Sequence, residues 1–405
     1  MTSDKATISD ATVTGFAAPA FESCLDAFRS NFEDGGELGA ACAIYWRGQP
    51  VMEAWGGIAR SPTATPWQRH TLAPLFSVTK GVAALCVLML VEKGLIDLDK
   101  PVSAYWPEFA AHGKERVSVR EALAHRAGVP MLSGPVTFAD LADSSAMAAR
   151  LADEVPLFAP GSDHLYHAIT IGWITGELVR RTTGQSIGGF IRDRISVPLG
   201  LDLWIGRPHH DAAEVALIEA PPELDVPPLD PESPSARAIS LNGLFAPTLA
   251  GLARAMNDPV IQAAELAGAN GLSNARSLAR LYAAAIGSVD GTRLISERVM
   301  ADACTLVSSG TMWGVPSPGP TWGSGIMLPF SYQPMLGPGS FGHDGAGGSI
   351  AFAHPPTGIS FAYVRNRMGQ PGVMDRPIYR VIAALVRSLD LDPAEYFPVE
   401  KPDAA

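Results

Sequence analysis

The spacing of apolar residues changes from helical to strand-like within the first hundred positions. Three phenylalanines and a leucine recur at positions 21, 25, 28 and 32, which predicts an amphipathic helix over residues 19–32. Two short strand-like runs follow, Ala41–Trp46 and Val51–Trp55, and the intervening Arg47–Pro50 has the turn-forming residues of a hairpin. After Ser77, apolar residues lie on nearly every face through Val91, which predicts a buried helix.

The middle of the chain is predicted to be helical, and strands return near the C-terminus. Residues 118–300 alternate helical stretches with Pro and Gly breaks, and the pattern changes near Thr321. The predicted elements are, in chain order, helices Ile169–Arg181, Ile187–Arg194 and Leu278–Ile286, strands Ser349–Ala353 and Ile359–Val364, and helix Arg376–Leu389.

Strands toward both ends of the chain, with helices between them, predict an α+β protein. We expect one mixed antiparallel sheet assembled from both termini, with a helical domain inserted into it. The predicted division is an α/β sheet lobe of residues 1–76 and 320–405 and a mainly helical lobe of residues 77–319. The active site is expected in the cleft where the two lobes meet.

Composition narrows the classes of partner. The chain has 405 residues, of which 47% are hydrophobic and 18% charged, as in an ordinary globular protein. Its net charge of −11 argues against a nucleic-acid partner. The longest apolar run, Val82–Val91, is half of what a membrane crossing needs, so we expect no membrane partner. The oligomeric state is left open.

The cysteines and the N-terminus favour a cytoplasmic protein. The first residues lack a basic start followed by an apolar stretch, so no secretory signal is visible. The four cysteines show no metal-binding spacing, and we expect buried, reduced thiols at Cys24, Cys42, Cys86 and Cys304. Neither H-E-x-x-H nor a Gly-Lys-Ser phosphate-binding loop occurs. No metal and no organic cofactor is therefore expected.

One tetrapeptide, Ser77-Val78-Thr79-Lys80, has the residues of an activated nucleophile. Ser77 stands at the start of the predicted buried helix, and Lys80 projects from the same helical face. Burial lowers the pKa of an amine, so the free amine of Lys80 could accept the serine proton. A capping serine with a lysine that reaches solvent fits the same residues, and this segment alone leaves both interpretations open.

Two further segments could complete a site. Tyr166 lies between a Pro-Gly turn and a predicted helix, where its phenol could move protons near a lysine. The alternative is a half-buried tyrosine with a structural hydrogen bond. The Gly-rich segment Phe341–Ser349 heads a strand, and the N–H of Ala346 is a candidate oxyanion donor. A glycine-rich bulge on an edge strand is the alternative there.

The order of these motifs resembles the serine β-lactamase and penicillin-binding-protein superfamily. Three longer segments resemble its class C-like branch, and most closely the family VIII carboxylesterases: Phe76–Gly81, Leu123–Val129 and Phe341–Gly348. The likeness runs from about Cys42 to Met368. It implies a β-lactamase/transpeptidase-like fold and a serine hydrolase activity.

The resemblance also implies roles for single residues. It makes Ser77 the acylated nucleophile, Lys80 its proton partner and Tyr166 the second member of the base. The backbone N–H groups of Ser77 and Ala346 would form the oxyanion hole.

The substrate-binding strand is expected at His343-Asp344-Gly345, where the superfamily has Lys-Thr-Gly. His343 and Gly345 are therefore candidate substrate-binding residues. Trp322 is a third candidate, as an apolar wall of the site, with an ordinary core tryptophan as the alternative.

Two departures from the superfamily favour esters over lactams. The Tyr-x-Asn of the lactamases reads Tyr166-His167-Ala168, so a side-chain amide is missing. His343 replaces a lysine and is not a permanent cation near neutral pH. We expect a carboxylesterase acting on small, short-chain esters. The alternatives are a β-lactamase or amide hydrolase on the same residues, and a non-catalytic penicillin-binding-like module.

Overall fold

The main sheet of the structure is built from the two ends of the described chain. The structure is a computed structural model, and it describes residues 13–207, 214–220, 230–246, 248–315, 318–369 and 376–392. Its strands are β1 (Thr14–Ala17), β2 (Gly39–Trp46), β3 (Gln49–Arg60), β4 (Thr65–Pro66), β5 (Ala73–Pro74), β6 (Leu203–Trp204), β7 (Leu272–Ser273), β8 (Thr321–Trp322), β9 (Met327–Leu328), β10 (Phe341–Asp344), β11 (Ile350–His354) and β12 (Ile359–Arg365).

Strand β2 from the N-terminal part pairs with β12 from the C-terminal part, which joins the two halves of this sheet. The strand order is β1-β3-β2-β12-β11-β10-β9-β8, with β4 paired to β3, and every pairing is antiparallel. A second, three-stranded sheet has the order β5-β7-β6. The predicted antiparallel sheet from both termini is confirmed.

The helices cover both faces of the main sheet, and most of them lie, along the chain, between its N-terminal and C-terminal strands. They are α1 (Glu22–Glu33), α2 (Val78–Glu92), α3 (Val119–Leu123), α4 (Ser144–Ala152), α5 (Ile171–Thr183), α6 (Ile187–Ile191), α7 (Val197–Leu199), α8 (Pro234–Ile239), α9 (Leu249–Met256), α10 (Pro259–Ala263), α11 (Ala275–Ile286), α12 (Glu297–Ala303) and α13 (Arg376–Ser388). Helices α1 and α13 pack on one face of the sheet, and α11 packs on the other. No helix among the described residues is long and apolar enough to cross a membrane.

The predicted elements agree with the observed ones to within a few residues, with two differences. The first hairpin turns at Arg47 and Gly48 alone, and both have positive φ (51° and 81°), as the tight turn of a two-residue hairpin requires. The predicted helix at 187–194 is instead α6 followed by a π-helical turn over Arg192–Ser196. The hairpin turn type and the π-helical turn depend on local backbone conformation, which the spacing of apolar residues does not predict.

The division into two lobes stays a prediction. Helix α11 belongs by sequence to the predicted helical lobe, yet it packs against β2, β11 and β12 of the main sheet. The Ser360 hydroxyl of β12 donates a 2.7 Å hydrogen bond to the Ala279 carbonyl of α11. The sheet and this helix therefore share one apolar core.

Helix α2 lies in the centre of that core. All residues from Val78 to Leu90 are buried, and Lys80 is the only charged residue among them. The helix carries no polar face, so its position depends on apolar contacts on every side. Cys86 of α2 is buried, as are Cys24 and Cys42, whereas Cys304 is partly exposed.

A buried ion pair connects the segment after α1 to strand β12. Arg365 Nε lies 2.9 Å from Glu37 Oε2, with side chains 4% and 0% exposed. The Tyr363 hydroxyl donates to Glu37 Oε1 at 2.8 Å. Burial, followed by the Glu37 carboxylate, raises the pKa of the Tyr363 phenol well above its ordinary value. This network ties β12, at the junction of the two sheet halves, to the N-terminal part of the chain.

Removing one partner of this pair is predicted to destabilise the fold strongly. Glu37→Ala leaves the Arg365 guanidinium buried without its carboxylate and should cost about 3–5 kcal/mol of the free energy of unfolding, measured in urea. The matched control is Asp34→Ala, which removes the exposed partner of Arg380 and should cost less than about 1 kcal/mol. Equal losses in the two variants would contradict the assignment.

Candidate active site

Ser77 is placed at the start of helix α2 by a sharp turn. The preceding residue, Phe76, has φ of +49°, an uncommon conformation for an aromatic residue, and Ser77 takes the position before the first helical residue. The Ser77 hydroxyl makes no hydrogen bond to the helix backbone, so it does not act as a cap. Ser77 is half-buried, which leaves its hydroxyl at the edge of the core.

Lys80 lies one turn into the same helix and points its amine at Ser77. Lys80 Nζ is 3.0 Å from Ser77 Oγ and donates a 2.6 Å hydrogen bond to the carbonyl of Gly268. The residue is 3% exposed, so it does not reach solvent. Burial lowers the pKa of the amine to about 7, and the negative charge of Asp344 opposes part of this effect. A large fraction of the amine is therefore free near neutral pH.

Tyr166 approaches Ser77 from the loop before α5. Its hydroxyl donates a 2.8 Å hydrogen bond to Ser77 Oγ, and Lys80 Nζ lies 4.7 Å from the centre of its ring. Burial raises the pKa of the phenol, so it remains protonated at neutral pH. Ser77 Oγ thus has an amine that can accept its proton and a phenol that can donate a hydrogen bond.

The Gly-rich turn, residues 345–348, lies against the chain that leads into α2. A Cβ on Gly345 would lie 2.4 Å from the Leu75 carbonyl oxygen, so only glycine allows this approach. The turn is closed by a 2.7 Å hydrogen bond from the Gly345 N–H to the Ser349 carbonyl. The next residue, Ala346, is half-buried beside this contact. Its N–H and that of Ser77 donate to no protein acceptor within the described residues.

Two candidate substrate-binding side chains, Trp322 and His343, are buried beside Tyr166. Trp322 has no exposed surface, and its ring stacks on that of Tyr166 at 5.6 Å with an interplanar angle of 14°. His343 is 1% exposed, and its ring lies 5.2 Å from that of Trp322. Burial lowers the pKa of His343, so this ring is neutral at neutral pH. Both side chains pack against the Tyr166 ring, and their contact with substrate stays a prediction.

Ala168 provides no polar group to the site either. It is 6% exposed, and its N–H bonds to the Tyr166 carbonyl at 3.0 Å. The loop that carries Tyr166 thus turns inward directly after the phenol.

Two residues at the site were not assigned from the sequence. Gly268 acts through its carbonyl oxygen, and no side-chain motif could have revealed it. His125 lies in Leu123–Val129, a segment that carried the family resemblance without a role for any residue. Its ring is 5.0 Å from the Tyr166 ring and 4.4 Å from that of Trp322.

The fold and this cluster define a serine hydrolase of the β-lactamase and penicillin-binding-protein superfamily. The family model described as Beta-lactamase matches residues 25–385 of the chain. The protein belongs to that family.

Relatives of known sequence or structure agree with this class. The esterase/beta-lactamase LipL of Mycobacterium tuberculosis is 34% identical over 411 residues, which cover 97% of this chain and 94% of LipL. A crystal structure of a family VIII carboxylesterase superposes with a TM-score of 0.83 at 34% identity, covering 93% of this chain and 100% of its own. A penicillin-binding protein homologue from Caulobacter crescentus gives a TM-score of 0.80 at 35% identity with the same coverages.

The low pKa of Lys80 predicts the pH dependence of turnover. Below pH about 7, kcat/KM for an activated ester should rise about tenfold per pH unit and then level off, because the amine must lose its proton before it can accept that of Ser77. Burial lowers the pKa of His125, His167 and His343, so these rings do not account for a rise near pH 7.

Three variants test the assignment of this pH dependence. Lys80→Ala and Tyr166→Phe should each reduce turnover by about 10²–10⁴-fold, and Tyr166→Phe should keep the rise near pH 7 because its phenol is protonated throughout. Asp344→Asn should shift the rise to lower pH, since its negative charge raises the pKa of Lys80. A flat profile across this range in the wild type would contradict the role of the amine.

Proposed function

We propose that the protein is a carboxylesterase that hydrolyses small, short-chain esters through an acyl-enzyme on Ser77. The observation that carries the proposal is the convergence of the Lys80 amine, at 3.0 Å, and the Tyr166 hydroxyl, at 2.8 Å, on Ser77 Oγ. A serine hydroxyl is a weak nucleophile until a neighbouring group takes its proton. Lys80 is the group beside it whose pKa permits this near neutral pH.

Acylation begins when Ser77 Oγ attacks the ester carbonyl carbon and its proton passes to Lys80. The negative charge that develops on the carbonyl oxygen is stabilised by the N–H groups of Ser77 and Ala346. The C–O bond to the alcohol then breaks, and the departing oxygen receives the Ser77 proton from Lys80. Tyr166 is the second member of the proton-transfer pair. The products of this step are the free alcohol and an ester of Ser77.

Deacylation repeats the same steps with water as the nucleophile. Lys80 accepts a proton from the water as its oxygen attacks the acyl carbon, and Ser77 Oγ leaves with that proton. The acid is released, and the Ser77 hydroxyl is regenerated with its two partners.

The nucleophile assignment predicts the behaviour of Ser77→Ala. This variant should fold normally and lose ester turnover by about 10⁴-fold or more, because the members of such a unit act together. Intact mass after treatment with a fluorophosphonate should show one adduct, which peptide mapping places on Ser77.

Two outcomes would contradict this assignment. An adduct on another serine would exclude Ser77 as the nucleophile. A single burst without steady turnover of p-nitrophenyl acetate would favour a non-catalytic penicillin-binding-like protein.

The charges beside the site favour neutral esters over β-lactams. A lactam substrate brings a carboxylate that must leave water, and a nearby cation would offset that cost. His343 is buried and neutral, whereas the side chain of Asp344 is 37% exposed and negatively charged. Ala168 stands where the lactamases have asparagine, so the side-chain amide that could hold a lactam is absent. A β-lactamase is the second candidate, because LipL is named as both an esterase and a β-lactamase.

The two candidates differ in their expected substrate preference. For the wild type, kcat/KM for p-nitrophenyl acetate or butyrate should exceed that for nitrocefin by at least about 10²-fold, or roughly 2.7 kcal/mol of transition-state binding. Asp344→Asn should narrow this difference by improving nitrocefin turnover, because it removes the charge that repels the lactam carboxylate. Equal kcat/KM values for the ester and nitrocefin in the wild type would favour a β-lactamase over a carboxylesterase.

A further inference from the structure

The loop that carries Tyr166 has no regular secondary structure to hold the phenol in place. Residues 163–167 lie between the turn at Gly161 and helix α5, outside any described helix or strand. The phenol must nevertheless lie within hydrogen-bond distance of Ser77 Oγ for proton transfer. Something outside the loop therefore has to determine where Tyr166 lies.

His125 bonds to the backbone on both sides of Tyr166. Its carbonyl oxygen accepts a 3.1 Å hydrogen bond from the Leu165 N–H, and its Nδ1 accepts one of 3.1 Å from the His167 N–H. Its ring lies 5.0 Å from the Tyr166 ring and meets Trp322 edge-on at 4.4 Å. Tyr166 thus packs against both Trp322 and His125, and His125 also accepts hydrogen bonds from the N–H groups of the two residues that flank Tyr166.

The backbone of His125 is in a left-handed conformation, and its ring is fully enclosed. It follows helix α3 with φ of +65° and is 1% exposed. Asn, Asp and His adopt this conformation more readily than other non-glycine residues. The strained backbone and the buried imidazole are both needed to present the carbonyl and Nδ1 to the Tyr166 loop.

The ring must be neutral to accept the His167 N–H at Nδ1. Burial lowers the pKa of His125 well below its ordinary value, and the charges of His167, Lys80, His343 and His164, when protonated, act in the same direction. Nδ1 therefore keeps its lone pair, and the ring proton resides on Nε2.

We propose that His125 is a positioning residue that holds the Tyr166 hydroxyl against Ser77 Oγ. It touches no reacting atom and acts through Tyr166 alone. The inference rests on the proposed function, since it assumes that the phenol takes part in turnover. A shift of about 1 Å in a group of this kind can cost about 10²-fold in rate.

His125→Asn is the variant that tests the proposal with least damage to the fold. Asparagine tolerates the left-handed backbone but lacks the ring. We expect kcat for p-nitrophenyl butyrate to fall by about 10–10²-fold while KM changes by less than about threefold, because substrate binding does not depend on the phenol position. The rate at which a fluorophosphonate modifies Ser77 should fall in parallel.

A double-mutant cycle with Tyr166→Phe distinguishes positioning from general structural damage. If His125 acts only through the phenol, His125→Asn should lower kcat by less than about threefold in the Tyr166→Phe background. The matched control is His354→Asn, which replaces another buried histidine, bonded to Thr357 and the Pro338 carbonyl. That variant should lose stability without losing kcat in either background.

Two results would overturn the proposal. One is an equal loss of kcat from His125→Asn with and without the Tyr166 hydroxyl, and the other is wild-type kcat in the folded variant. If His125→Asn does not fold, Trp322→Phe replaces it in the cycle: it retains an aromatic ring but changes the surface that encloses His125 and Tyr166. Its loss of kcat should likewise vanish in the Tyr166→Phe background, and persistence of that loss would also overturn the proposal.

These outcomes are distinct from failure of the proposed function. If the wild type hydrolyses no ester, or if Ser77→Ala retains turnover, the esterase proposal fails whatever His125 does. If the wild type is active and Tyr166→Phe is impaired while His125→Asn is not, the inference about His125 alone fails.

Discussion

The amine of Lys80 is held out of water by the helix that carries it, and the arrangement of the site depends on this burial. A lysine in solvent keeps its proton at neutral pH and cannot accept another. Helix α2 is apolar on every face, so the core encloses it completely and lowers the pKa of the Lys80 amine to about 7. The hydrogen bond to the Gly268 carbonyl gives the buried amine one fixed partner and leaves it directed at Ser77.

The sheet provides the second half of the site because its strands come from both ends of the chain. Pairing of β2 with β12 places the C-terminal strands beside the N-terminal hairpin, and β10 then leads into the Gly-rich turn next to Leu75. The buried pair of Glu37 and Arg365 ties β12 at this junction. The position of Ala346 relative to Ser77 is thus a consequence of long-range strand pairing, not of any local sequence.

Aromatic and imidazole rings form a support behind Tyr166. Trp322 stacks on the phenol, and His125 and His343 pack around that pair, all three with almost no exposed surface. The apolar surroundings keep these histidines neutral, so they add no charge that would compete with Lys80. Asp344 carries a partly exposed negative charge beside His343. It raises the pKa of Lys80 and opposes anionic substrates.

The periodicity of apolar residues was sufficient for the longest strands and helices, because burial of one face or of all faces repeats apolar residues at the period of that element. The order of the motifs was sufficient to identify the family and to group Tyr166 with Ser77 and Lys80. Ser77 and Lys80 could be paired because one helical turn separates them. The sequence could not reveal the side on which His343 and Trp322 lie. The structure buries both against Tyr166. The direction of a side chain on a strand depends on register and on what packs over it.

The contacts of Gly268 and His125 were also beyond the sequence, since each acts across a separation of more than forty residues through a backbone oxygen or a ring nitrogen. Sequence alone therefore determined the class of fold and predicted the reacting groups. The pKa of the amine, the position of the phenol and the closeness of the Gly-rich turn depend on desolvation and packing, which exist only once the chain has folded.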